Sequence, residues 1–107
     1  MDINDIHNLP RMLERFYDAY GYCLKNTVTT FQLPREAFSQ KPPTEQTFIK
    51  VDFDDMIKYG LLIGYHRSTA TPYSFTLTKL GFNIGSKIDI HGIEIVSKEF
   101  CEIIKHF

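Results

Sequence analysis

The chain reads as a single α+β domain. Apolar residues recur at helical spacing near both ends and in the middle, and two runs with a period of two flank a turn of small residues. The 107 residues fit one domain by the usual guide of roughly 100 to 200 residues per domain, with one compact core. Nine Phe, six Tyr and no Trp suit an ordinary packed interior and argue against disorder.

The first helix is expected from about Asn8 or Pro10 to Lys25. Leu13, Phe16, Tyr17, Tyr20 and Leu24 fall within an arc of about 100° at helical spacing. Asn8 suits an N-cap, Pro10 is tolerated in a first turn, and Gly21 weakens the last. In "NTVTTFQLP" the β-branched and aromatic residues Val28 to Phe31 predict a short strand or extended segment that Pro34 closes. "REAFSQ" has room for a turn or two of helix before "KPPT" interrupts it.

A longer helix is expected from about Glu45 to Tyr59, capped by Thr44 and ended by Gly60 as a left-handed residue. Ile49, Phe53, Met56 and Ile57 form its core face. Phe48, Val51 and Tyr59 lie on the other side, interleaved with Asp52 and Asp55. Either "TFIKV" is extended and Asp52 caps a shorter helix, or this second stripe packs on a neighbouring element or a partner.

Ile63 and Tyr65 alternate with Gly64 and His66, and after "RSTATP" Tyr73, Phe75 and Leu77 alternate with Ser74, Thr76 and Thr78, which predicts a β-hairpin. Thr78 can cap a helix carrying Leu80 and Ile84, which Gly85 and Ser86 are expected to loosen. The chain closes on an amphipathic helix over about 92–107, with Ile93, Val96, Phe100, Ile103, Ile104 and Phe107 on one seam. The seam lasts about two heptads, too short for a coiled coil by itself.

"YGLLIGY" leading into a hairpin that closes with "FTLTKLG" resembles the winged-helix branch of helix-turn-helix proteins. The residues that carry the resemblance are Gly60, Leu61 and Leu62 at the end of the third helix, and Leu77, Thr78 and Gly81 where the second wing strand opens the next helix. The resemblance spans about residues 10–88. It implies a three-helix core with a small antiparallel β-hairpin wing, here followed by an extra C-terminal helix, and it implies double-stranded DNA as the partner.

Charge must then be read by position, because twelve Lys and Arg against thirteen Asp and Glu leave the molecule near neutral. The third helix carries Glu45, Asp52, Asp54 and Asp55 against Lys50 and Lys58, the wrong balance for a groove lined by phosphates. Its first turns suit DNA better, with Lys41, Thr44, Gln46, Thr47 and Lys50. Residues 56–88 contain no acid, while Lys58, Arg67, Lys79 and Lys87 are basic. Arg67 and Ser68 at the hairpin tip, with Lys79 at its base, suit a phosphate backbone or a minor groove; the same residues also suit a merely solubilising surface.

Two functions fit these residues. One is a small transcriptional regulator that binds DNA through the wing and the start of the third helix. The other is a protein-interaction module, an adaptor, subunit or inhibitor such as phages and mobile elements encode, using the acidic, partly apolar face of Phe48, Val51, Asp52, Asp55 and Tyr59. The terminal seams, Leu13, Phe16, Tyr17 and Tyr20 with Ile93, Val96, Phe100, Ile103 and Phe107, either form a homodimer interface or pack on each other within one chain.

Enzymatic chemistry finds no support. "DFDD" lacks the glycine and distal glutamate of a calcium loop, and His7, His66, His91 and His106 make no metal-ligand spacing. There is no G-x-S-x-G, phosphate-cradling loop or dinucleotide fingerprint, so neither cofactor nor metal is expected. Cys23 and Cys101, far apart and without C-x-x-C spacing, read as buried thiols of a cytoplasmic protein, with a disulfide between them as the alternative. The acidic start "MDINDIHNLPRML" fits neither a signal peptide nor a membrane span.

Overall fold

The computed structural model describes residues 8–32, 40–65 and 74–104. Helix α1 (Leu9–Asn26) starts where Asn8 Oδ1 accepts the Arg11 backbone N–H at 2.9 Å, with Pro10 in the first turn. It ends at Thr27, whose φ of 54° is left-handed and whose N–H reaches back to Leu24 O. Its buried residues are Met12, Leu13, Phe16, Tyr20 and Cys23, a face rotated from the expected stripe: Leu24 is 50% exposed and Tyr17 stands at the margin. The rotation follows from the neighbours, since α1 packs against helices on more than one side.

Strand β1 (Thr30–Gln32) turns Phe31 inward. The helical turn expected over "REAFSQ" falls almost wholly outside the described residues. Helix α2 (Pro43–Lys58) begins earlier than expected: Pro42 occupies the cap position without a side-chain cap bond, and Thr44 lies inside the helix. "TFIKV" is helical, so Asp52 caps nothing. The exit matches expectation, with Gly60 at φ 79°. There Gly60 N–H bonds Ile57 O at 3.1 Å and Leu61 N–H bonds Met56 O at 2.8 Å, the paired closure of a left-handed C-terminal cap.

The hairpin strands β2 (Leu62–Tyr65) and β3 (Ser74–Leu77) are antiparallel, and β1 adds on the other side of β3. The order β1-β3-β2 makes a three-stranded sheet where the sequence promised a two-stranded hairpin. Phe31 pairs with Phe75 across the strands, and Phe75 stacks on Phe53 at 4.7 Å, which seats the sheet on α2. Thr78 joins hairpin to helix: its hydroxyl accepts Gly81 N–H at 2.9 Å and lies 2.6 Å from Gly60 O, to which it can donate.

Helix α3 (Lys79–His91) continues through Gly85 and Ser86, where a loosening was expected. Gly85 is buried face to face with the Tyr20 ring, so the glycine serves helix packing rather than a helix end. After Gly92, at φ 85°, helix α4 (Ile93–Ile104) returns against α1 and α3. Val96 and Phe100 enter the same core as Leu13, Phe16 and Tyr20. The two seams therefore meet within one chain. The Ile103 side chain and Phe107 lie outside the described residues.

Both cysteines are free; Cys23 is buried and Cys101 partly so. Among the described residues no helix is long and apolar enough to cross a membrane.

Candidate functional site

Helix α2 decides the charge question that the sequence raised. At about 100° per residue, Ile49, Phe53 and Met56 point to the core, while Thr47, Lys50, Asp54 and Lys58 form the opposite, exposed face. Asp52 lies between them, at the edge that meets α1. It is 0% exposed.

Two arginines on α1, four positions apart and hence on one face, close over that carboxylate. Arg11 makes a fork, with Nε 2.9 Å from Asp52 Oδ2 and Nη2 2.9 Å from Oδ1. Arg15 Nε adds a bond to Oδ2 at 2.9 Å. The arginine side chains are 22% and 26% exposed, so their stems are buried and their outer edges meet water. Arg11 also lies over the Phe48 ring, 4.3 Å from its centroid.

This arrangement corrects the interaction face read from the sequence. Asp52 is interior, not part of an exposed acidic surface. Phe48 is half-buried beneath Arg11, and Tyr59 is half-buried edge-on to Phe100 at 5.8 Å. Val51 and Asp55 are half-buried beside them. Of the two explanations for the second stripe, packing against neighbouring elements accounts for Phe48, Asp52 and Tyr59. Arg11 and Arg15 were not singled out in the sequence; their local signal was the R-x-x-x-R spacing beside an apolar stripe, and nothing local to "DFDD" marks Asp52 rather than Asp54 or Asp55 as their partner.

The residues proposed for DNA fall into groups. Thr44, Thr47 and Lys50 are exposed on α2. Lys41 is exposed and sits 3.7 Å from Glu45, a loose surface pair. Gln46 is partly buried, its Nε2 donating to Lys41 O at 2.7 Å, and Thr47 Oγ1 donates to Pro43 O at 3.1 Å. These two side chains brace the first turn, which lacks a cap. Lys79 is exposed at the start of α3. Arg67 and Ser68 lie outside the described residues.

The outer sheet face is small and polar. Thr30 and Thr76 hydroxyls pair across the strands at 3.0 Å, and Ile63 is half-exposed in the same row. Among the described residues, Tyr17 and Cys23 are displaced from their ordinary ranges. The Tyr17 phenol donates to Asp89, which together with desolvation raises its pKa, and burial alone raises that of the Cys23 thiol. Neither touches the exposed face of α2. Comparison of the chain with protein-family models, with curated proteins and with solved structures finds no match.

Proposed function

We propose that the protein binds double-stranded DNA as a winged-helix regulator, with the exposed face of α2 entering a groove and the β2–β3 hairpin lying along the backbone. The observation that carries this reading is the burial of Asp52 between Arg11 and Arg15. By sequence, α2 carries two more acids than lysines. With Asp52 counted with its arginines, the excess falls to one, Glu45, Asp54 and Asp55 against Lys50 and Lys58. On the exposed face Thr44, Thr47, Lys50 and Lys58 stand with Asp54, while Glu45 and Asp55 are partly buried. Hydroxyls and lysines are the groups that phosphates and base edges accept.

The topology supports the same reading. A helix, a short strand, a second helix ending in a left-handed glycine and then a hairpin, with sheet order β1-β3-β2, are consistent with a winged-helix arrangement. Lys79 stands at the base of the hairpin, in the acid-free segment that also contains Arg67. The protein-interaction reading has less support, because its central carboxylate is buried.

Anisotropy of a labelled random duplex, titrated with protein over a salt series, tests the proposal. Contact with about four to six phosphates gives log K falling against log salt with a slope of about −4 to −5. A Lys50→Glu, Lys79→Glu double variant is expected to abolish binding while keeping its circular dichroism. No binding by the wild-type protein at low salt would overturn the proposal.

A further inference from the structure

We infer that Arg15 is a preset phosphate contact at the rim of this DNA-binding face, an inference that rests on the DNA-binding reading above. Two guanidinium groups share one carboxylate, and they share it unequally. Arg11 commits Nε and Nη2 to Asp52 and lies over Phe48. Arg15 commits Nε alone, and Asp52 is its one side-chain hydrogen-bond partner among the described residues. A guanidinium has five N–H donors, so the four on its Nη atoms are left for another acceptor. With a quarter of the side chain exposed, that acceptor comes from the solvent side.

Location gives the acceptor its class. Asp52 sits at the α1 edge of α2, and Val51, about 100° away around that helix, separates it from Thr47 and Lys58 on the exposed face. A backbone phosphate flanking a groove that α2 enters meets this rim. Asp18 and Asp55, each three positions further along its helix, bring negative charge to the same margin. The contact therefore depends on directed donors, not on a broad basic field. The Asp52 bond fixes the guanidinium before any ligand arrives, so binding orders little that folding has not already ordered.

The test compares wild-type protein with Arg15→Gln on the same random duplex over the salt series. Arg11 still pairs Asp52 in this variant. We expect a salt slope smaller in magnitude by about one, with the circular dichroism spectrum retained. A merely structural arginine would leave the slope of the folded variant unchanged, and that result overturns the inference while the DNA-binding reading stands. Failure of the wild-type protein to bind DNA overturns both. Should Arg15→Gln not fold, NMR of the wild-type arginine side chains decides: a DNA-induced shift larger for Arg15 than for Arg11 supports the contact, and an unmoved Arg15 resonance overturns it.

Discussion

Asp52, itself fully buried, holds α1 to α2 through three nitrogens of two arginines. Asp52→Asn would leave the arginines without their counter-charge and turn an amide N–H₂ toward one of them. Removing one partner of a buried pair costs about 3 to 5 kcal/mol, and the water at the outer edges of these arginines lowers that to about 2 to 4 kcal/mol. Urea unfolding of the variant is expected to show the loss as a lower midpoint with an unchanged m-value. The Cys23 thiol offers a second check. Burial raises its pKa, so the folded state keeps its proton where the unfolded chain has released it. Between the ordinary thiol pKa and the raised folded value, the native state binds more protons, and the linked stability falls as pH rises through that window. At neutral pH, alkylation is expected to modify partly exposed Cys101 well before Cys23, read by intact mass at intervals.

At the scale of elements, two glycines in helices are expected to respond oppositely to alanine. Gly85 is buried in α3 with the Tyr20 ring lying where a Cβ would go. Gly85→Ala must push α3 off α1, and the overpacking penalty of about 1 to 3 kcal/mol exceeds the helix-propensity gain of about 1 kcal/mol. Gly21, exposed on α1, has nothing within 4 Å of its Cβ position, so Gly21→Ala keeps the gain and raises the thermal midpoint. The same contrast explains what could be read from the sequence. Periodicity marked the elements themselves, and capping chemistry marked Asn8, Gly60 and Thr78, because those signals are local. Gly85 read as a helix loosener because its reason lies on another helix. The start of α2 was misplaced because Pro42 supplies no side-chain cap for a sequence reading to find. Asp52 read as a surface acid because its partners are about 40 residues away in sequence, where no spacing rule reaches.

For the molecule as a whole, the question is where the apolar seams of α1 and α4 go. Either seam, left in water, would make a sizeable unpartnered surface, and the chain covers both by packing them on each other. Val96 and Phe100 are almost fully buried, and Phe100 also meets Tyr59 at the end of α2, so α4 completes the core shared by the preceding helices. Phe100→Ala therefore removes a ring from the interior of one chain, at a cost of about 3 to 5 kcal/mol. The order of the reaction distinguishes this from an intersubunit seam. If α1 and α4 meet within the chain, the wild-type unfolding midpoint does not change with protein concentration, and Phe100→Ala lowers it equally at every concentration. If the seam joined two copies, the midpoint would rise with concentration, and the variant would lose that dependence by mass action. Urea titrations over a hundredfold range of concentration are expected to superimpose for both proteins, with the variant displaced to lower urea throughout.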